Sequence, residues 1–565
     1  MRSSRLLTCA SVLAGLGSMA APAEAALPNC NVGALAALNV PNVTIVSAVD
    51  VPGSVATPEF CQVLGVLRTT GFGAPDGAAQ FEIRLPATWN GKFLFVGVGG
   101  FAGSLSPAIN PIDFLGSLSA GYATAVTDTG HNGGGTDARW ALNGLGQPDE
   151  AKITDYYFRA AHQVTAAGKQ LVSRYYGGAI RRAYFDGCSN GGRMAFVEAT
   201  KFPEDYDGII AGAPFLDIRA IISGAKFQKV QLSPATYIPF SKLPAVDAAV
   251  YAACDAADGV ADGLIQNPAK CSFNPNQLVP GTLTSDQANT LQSYISALRD
   301  DEGKVIYEGF AITDLNSGGG MDLWSIGFVP PISFTDNEPW ATDGFAPSPI
   351  TWQFADHFLK YVVERTPTFD LRNFGVSTNG VVDKQALKLF DNRSEAGDGD
   401  VPAKLLPFIA QDRKMLVYHG FSDPALPPFR TIRYYEDLAK ITRGFDELQE
   451  HVRLFMVPGM QHCVGGPGPN LFDTLSALDN WVEHGVAPNG IVATHFVNNN
   501  PALGVDRTMP LCKFPEQAAY NGSGPVQSAS SWQCTRNDRL LELGSNGRTA
   551  GLGDDDSDHN RDNDH

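Results

Sequence analysis

The sequence predicts an α/β fold: a mainly parallel sheet joined by crossover helices, with one large insertion between consecutive strands. Three observations carry that prediction. From Phe81 onward, short apolar runs alternate with helical segments. The stretch Asp186-Gly187-Cys188-Ser189-Asn190-Gly191-Gly192-Arg193 lies between the apolar run Ala183-Tyr184-Phe185 and the helix-like Met194-Ala195-Phe196-Val197-Glu198-Ala199. That order is strand, tight glycine-flanked turn, helix. Finally, a long stretch separates Ile209-Ile210-Ala211-Gly212-Ala213-Pro214 from the next buried run, Lys414-Met415-Leu416-Val417-Tyr418-His419.

Residues 1–25 contain Arg2 and Arg5, an apolar segment from Leu6 to Ala20, and Ala23-Glu24-Ala25. This is the layout of an export signal, and the mature chain is expected to begin at Ala26. Of the nine cysteines, Cys9 falls in that leader, which leaves Cys30, Cys61, Cys188, Cys254, Cys271, Cys463, Cys512 and Cys534. An even set in an exported protein suggests disulfides. No later apolar run is long enough to span a bilayer, so a soluble secreted or periplasmic protein is expected, without a membrane partner. Acidic groups outnumber basic ones by 59 to 41, and the formal charge of −18 disfavours nucleic acid as a partner. Part of that excess lies in the tail, residues 551–565, which lacks an apolar core and reads as disordered. No repeat period is present, and the oligomeric state is not encoded in any pattern.

Taken in order, Phe81-Glu82-Ile83-Arg84-Leu85 alternates as a strand. Lys92-Phe93-Leu94-Phe95-Val96-Gly97-Val98 is a buried strand that runs into Gly99-Gly100-Phe101-Ala102-Gly103, and Ala123-Thr124-Ala125-Val126-Thr127 is another. A long helix is expected from Ile153 to Tyr176, followed by the strand that leads to Ser189. In a nucleophile elbow the serine is held in strained geometry and its neighbours approach too closely for a Cβ, which accounts for Gly187 and Gly191. The amide of Asn190 would point into the helix start, where an oxyanion could bind, and Gly100 is placed to supply a second amide. Alone, Gly-x-Ser-x-Gly is short enough to occur by chance in an ordinary turn. The glycine loop after Val98 has the same plain alternative.

The insertion at 216–400 reads as a lid over the strand ends. After it, the strand at 414–419 ends in Gly420-Phe421-Ser422-Asp423-Pro424, and Val452-Arg453-Leu454-Phe455-Met456-Val457 ends in Pro458-Gly459-Met460-Gln461-His462-Cys463. An aspartate and then a histidine, each in a loop after a core strand, follow Ser189 in the order that a hydrolase of this architecture uses. The expected catalytic set is Ser189, Asp423 and His462, although an aspartate before proline is also a common turn residue. Cys188 precedes the serine and Cys463 follows the histidine. If Ser189 and His462 meet, these two sulfurs are close enough to bond; the rival reading makes Cys188 a reactive thiol with His462 as its base.

These motifs together, Gly-Cys-Ser-x-Gly-Gly at 187–192, Gly-Phe-Ser-Asp-Pro at 420–424 and Pro-Gly-Met-x-His-Cys at 458–463, resemble the tannase and feruloyl esterase family, which also contains hydrolases of synthetic aromatic monoesters. The resemblance spans most of the mature chain. It implies an α/β-hydrolase core at 26–215 and 401–550 with the lid domain at 216–400. It also implies esterase activity on aromatic or phenolic acid esters and a Cys188–Cys463 disulfide.

A fourth motif, Cys254-Asp255-Ala256-Ala257-Asp258-Gly259-Val260-Ala261-Asp262-Gly263-Leu264, closes at Cys271. Three aspartates at this spacing can surround a hard cation, or they can form a solvated acidic loop. The resemblance favours structural calcium, held by the side chains of Asp255, Asp258 and Asp262 and the carbonyls of Val260 and Leu264. Cys254 and Cys271 would staple the loop. Cys512 is paired with Cys534 and Cys30 with Cys61 on spacing.

Between Val305 and Leu359 lie Tyr307, Phe310, Trp324, Phe328, Phe334, Trp340, Phe345, Trp352, Phe354 and Phe358, with no lysine or arginine among them. Most belong to a lid core, and the remainder would offer stacking faces to an aromatic acyl group. The absence of a cation tilts the reading toward neutral acyl groups such as ferulate or gallate over terephthalate-type monoesters. The leading expectation is therefore a serine esterase that takes a small aromatic ester through an acyl-enzyme on Ser189. A calcium-stabilised binding protein without activity and a peptidase on the same fold are the alternatives.

Overall fold

The computed structural model describes residues 29–54, 57–340 and 347–536. The expected export signal, the acidic tail and Phe345 lie outside the described residues.

The chain opens with β1 (Val43–Val51), β2 (Phe60–Thr69) and β3 (Gly77–Pro86), which pair antiparallel in succession. Then follow β4 (Lys92–Val96), β5 (Ala123–Thr127), β6 (Arg182–Cys188) and β7 (Gly208–Gly212). Among the described residues, the inserted region contributes the short hairpin of β8 (Leu298–Arg299) and β9 (Val305–Tyr307), and β10 (Lys414–Gly420) and β11 (Val452–Val457) complete the main sheet. Its nine strands run β1-β2-β3-β5-β4-β6-β7-β10-β11. β3 meets β5 antiparallel, and every pairing from β5 to β11 is parallel.

The sequence announced β3 by its alternation and the parallel strands as unbroken apolar runs, because helices cover both faces of the latter. On one face Phe93, Phe95 and Phe185 pack with Val164 and Leu171 of the helix Ala160–Tyr176; on the other, Leu94, Tyr184 and Leu416 meet Leu478 and Trp481 of the helix Thr474–His484. β1 and β2 were not foreseen. β1 is an edge strand with Val46 and Val49 exposed, so its apolar residues do not mark a buried face. The C-terminal part holds two further hairpins that were also unread: β12 (Gly490–Phe496) with β13 (Val505–Cys512), and β14 (Glu516–Tyr520) with β15 (Trp532–Arg536).

The helix expected at 153–176 is subdivided. It starts as Glu150–Thr154, widens to a π-helical turn at Asp155–Arg159, and continues as Ala160–Tyr176. Arg159 and Asp155 form a fully buried ion pair at 2.6 Å, and Thr69 Oγ1 donates to the same carboxylate at 2.8 Å. The carbonyls of Tyr156 and Tyr157 in the widened turn accept hydrogen bonds from the Arg193 guanidinium, at 2.9 and 3.0 Å. A π turn releases carbonyls from the regular ladder for such use.

Four disulfides are present: Cys30–Cys61, Cys188–Cys463, Cys254–Cys271 and Cys512–Cys534. Among the described residues no helix is long and apolar enough to cross a membrane.

Candidate active site

β6 ends at Cys188 and the helix Asn190–Lys201 begins one residue later, which leaves Ser189 alone at the turn with φ 64° and ψ −123°. A serine at positive φ stores strain, and the surroundings hold it there. A Cβ on Gly187 would lie 2.6 Å from the Gly191 backbone, and one on Gly97 would lie 2.6 Å from Gly191 Cα. Strand, turn and helix therefore touch through backbone alone.

His462 reaches the same place from the loop after β11, and Ser189 and His462 line one cleft beneath the inserted region. Among the described residues no hydrogen bond joins the Ser189 hydroxyl to the imidazole; such bonds are commonly long in ligand-free sites and tighten when substrate is bound. His462 Nδ1 donates to Asp423 Oδ2 at 2.7 Å. Asp423, which follows β10, also accepts at Oδ1 from the backbone N–H groups of Ala425 (2.8 Å) and Leu426 (2.9 Å). Burial alone would raise its pKa, but the facing His462 and the donors around it hold the carboxyl well below its ordinary value.

The disulfide between Cys188 and Cys463 spans 5.9 Å between Cα atoms and ties the residue before Ser189 to the residue after His462. Cys188 therefore has no free thiol, which disposes of the reactive-thiol reading.

Gly100 and Asn190 flank Ser189 in the cleft wall, and neither amide donates to another group among the described residues. The Asn190 side chain is committed elsewhere: its Nδ2 donates to Val98 O at 2.9 Å, and its Oδ1 accepts from Arg193 Nε at 2.8 Å and Tyr156 OH at 3.2 Å. Gly100 sits at φ 59°, and a Cβ there would be 2.2 Å from Gly135 O. The next residue is clamped twice, with Phe101 N donating to Gly135 O at 2.6 Å and Phe101 O accepting from His131 Nε2 at 2.7 Å. Burial pushes His131 down to about 4, so it is a neutral donor, stacked 4.1 Å from Trp140. Sequence reasoning missed His131 and Arg193; their only local signals were the glycine run at 133–135 and the position one turn into the helix.

The rest of the cleft is mostly apolar: Phe215, Ile221, Phe310, Trp324, Phe354 and Leu426 contribute along with Thr351, and among the described residues no lysine, arginine or carboxylate lines it. Trp324 meets His462 edge-on with ring centroids 5.0 Å apart and lies parallel to Phe354, at 6.3 Å and 6°. Of the other aromatics of the inserted region, Tyr307, Trp340, Trp352 and Phe358 are buried, Phe334 is half-buried and Phe328 is exposed.

Asp255, Asp258 and Asp262 follow the end of the helix Leu243–Cys254, beside the Cys254–Cys271 disulfide. Asp255 Oδ1 accepts from the amides of Asp262 (3.2 Å), Gly263 (3.1 Å) and Leu264 (3.3 Å); Asp258 accepts from those of Val260 (3.0 Å) and Gln266 (3.4 Å). Burial, with Asp262 and Asp255 nearby, pushes Asp258 up to about 6. Arg507 of β13 pairs with Asp262 Oδ2 at 2.5 Å, while Asp262 Oδ1 is buried and accepts nothing among the described residues. A carboxylate oxygen left open beside two further carboxylates suits a hard cation. Arg507 supplies one of the charges such a loop needs.

The family model described as "Tannase and feruloyl esterase" matches residues 61–535. An uncharacterized esterase of Xanthomonas campestris pv. campestris is 35% identical, with 93% of this chain and 94% of that protein covered. The mono(2-hydroxyethyl) terephthalate hydrolase of Piscinibacter sakaiensis is 32% identical over 85% of each. Among solved structures, an esterase from Aspergillus oryzae superposes with a TM-score of 0.74 at 25% identity, covering 90% of this chain and 100% of that one. The feruloyl esterase B of the same species gives 0.72 at 23% identity, covering 88% and 98%. Both share the α/β-hydrolase-like fold described above.

Proposed function

From the premise that this chain belongs to the tannase and feruloyl esterase family of carboxylic ester hydrolases, we propose that it is a secreted serine esterase for neutral aromatic or phenolic acyl groups, working through an acyl-enzyme on Ser189. The observation that carries the reading is the 2.7 Å Asp423–His462 hydrogen bond, made by a histidine that lines the same cleft as the strained Ser189.

In this mechanism Ser189 Oγ attacks the ester carbonyl while His462 Nε2 takes its proton, and the amides of Asn190 and Gly100 receive the charge that develops on the carbonyl oxygen. Asp423 holds His462 in the tautomer with hydrogen on Nδ1 and stabilises the imidazolium. The imidazolium gives its proton to the departing alcohol. Water, activated by the same imidazole, then releases the acid. Because Ser189 is strained and the Gly100 loop is clamped by Gly135 and His131, donors and nucleophile are arranged before substrate arrives.

The acyl preference rests on the cleft wall. Trp324 and Phe354 offer flat faces beside His462, and no cationic side chain among the lining residues would pair with a distal carboxylate. A terephthalate-type monoester is the second reading, supported by the relative from Piscinibacter sakaiensis.

Asp255, Asp258 and Asp262, with the carbonyls of Val260 and Leu264, would hold calcium, which supplies structural charge neutralisation to the lid and no chemistry at the ester. The four disulfides agree with export.

The test is hydrolysis of methyl ferulate, methyl gallate, a terephthalate monoester and a short aliphatic ester by wild type and Ser189→Ala. Turnover of the neutral aromatic esters that disappears in the variant is the expected result. Faster turnover of the terephthalate monoester would select the second reading, and folded protein inactive on all four would favour a binding protein.

A further inference from the structure

His419, the penultimate residue of β10, is almost completely buried, and its Nε2 lies 3.2 Å from Asp423 Oδ2. That oxygen is the one that accepts from His462 Nδ1. Two imidazoles therefore converge on a single carboxylate oxygen, one from the cleft side and one from behind. We infer that His419 is a positioning residue for the proposed triad, acting through Asp423 by donating a hydrogen bond that fixes and partly neutralises the carboxylate His462 works against.

The proton assignment follows from the partners. An ionised carboxylate only accepts, so Nε2 of His419 carries the hydrogen. Nδ1 lies 2.8 Å from Thr431 Oγ1 of the helix Pro428–Ile441, a hydroxyl that serves as donor or acceptor and pins the ring from its other side. Nε2 also lies 3.2 Å from Leu426 O, within the loop that closes on Asp423 and lines the cleft. Asp423 thus accepts four hydrogen bonds: two from imidazoles on Oδ2 and two from backbone amides on Oδ1. Each is oriented, and His419 supplies the one that competes directly with His462. The inference rests on the esterase reading.

The direction of the effect can be derived. A hydrogen-bond donor on Oδ2 lowers the negative charge felt by His462. Without it Asp423 is a stronger base, the His462 imidazolium is held more tightly, and the acidic limb of kcat/KM moves to higher pH. A hydrogen bond of ordinary strength corresponds to about half a unit to one unit. The other ionisable groups around the pair come from several elements. Tyr294 and Tyr307 of the lid are raised by burial, with the Asp423 charge adding, so their phenols stay neutral. Arg430, from the same helix as Thr431, is paired with Asp217 and Asp400. Asp314 of the lid accepts from Ser422 beside Asp423, and burial pushes it up to about 7. Because Asp314 would titrate in the range of the assay, the experiment is run in wild-type and Asp314→Asn backgrounds.

The pH dependence of kcat/KM on methyl ferulate, or on whichever panel ester the wild type hydrolyses, is measured for His419→Leu and His419→Gln. A fluorophosphonate titration counts competent sites, so that misfolded material is excluded. The expected result is an acidic limb displaced upward by about half a unit or more in His419→Leu and returned toward wild type in His419→Gln, whose amide N–H restores the donor. An unmoved limb in His419→Leu, or an equal shift in both variants, would overturn the inference. Ser189→Ala is run alongside: if it retains turnover, the esterase reading itself has failed, and a positioning role for His419 falls with it.

Discussion

Cys188 and Cys463 are bonded to each other, each adjacent in sequence to one of two residues that line the same cleft, Ser189 and His462. The link closes a loop of 275 residues that contains the whole inserted region. Replacing both cysteines by alanine should lower stability by roughly 2–5 kcal/mol. It should also reduce kcat at least tenfold in protein that is still folded, because the nucleophile and base loops lose their direct tie. Denaturant unfolding and kinetics on the same sample check this. Removal of Cys512–Cys534, which joins β13 to β15, should cost stability without that loss of rate.

If calcium binds at Asp262 as proposed, the pairing of Arg507 with that residue predicts a calcium-dependent mutant phenotype. Chelation should lower the melting temperature while leaving kcat/KM nearly unchanged at temperatures where the protein stays folded. Arg507→Gln should be destabilising by roughly 3 kcal/mol in chelator, where Asp262 is left buried without its cation. The cost should be clearly smaller in saturating calcium. Equal costs in both conditions would separate Arg507 from the metal.

Buried carboxyls set the pH dependence of stability. Asp113, Asp314 and Asp356 are each raised by burial from 3.8 to about 7. Between those values the folded state keeps protons that the unfolded chain has lost. The stability these groups contribute is therefore fully present below about pH 4 and is lost as pH rises toward 7. Asp423 behaves oppositely: its pKa is depressed, so its contribution persists on acidification until pH falls below the ordinary carboxylate range. Melting temperature should fall from pH 4 to 7 in wild type, and less steeply in Asp314→Asn. Parallel curves would contradict the role of Asp314.

Phe354 should matter for acyl recognition more than for bond cleavage. Phe354→Ala removes one of the two parallel faces beside His462. An aromatic contact of about 0.5–1.5 kcal/mol corresponds to a loss of roughly two- to tenfold in kcat/KM for aromatic esters. It should appear mainly in KM, with a short aliphatic ester unaffected. A matching loss on the aliphatic ester would point to disturbance of Phe101, whose ring meets Phe354 at 5.0 Å.

What was legible in the sequence was local. The family and the α/β-hydrolase fold followed from motifs each contained in a few residues. Buried parallel strands were visible because both faces are covered, and the turn at Ser189 because its glycines answer to backbone contacts close in sequence. The antiparallel β1 escaped, since an edge strand with exposed valines shows no buried face, and β2, which lies inside the sheet, went unread despite its alternating burial.

The tertiary structure decided which surfaces meet, and no local pattern carries that information. His419 reads as one more residue of a buried strand; only the return of the 421–427 loop brings Asp423 back onto it. Arg507 and Asp262 are far apart in sequence and form their pair because the C-terminal hairpins pack against the inserted region. The aromatics of the insertion were indistinguishable as a set. Folding sends Trp340 and Trp352 into the lid core and leaves Trp324 and Phe354 in the cleft wall, because burial is a property of the assembled layers and side-chain chemistry alone does not encode it.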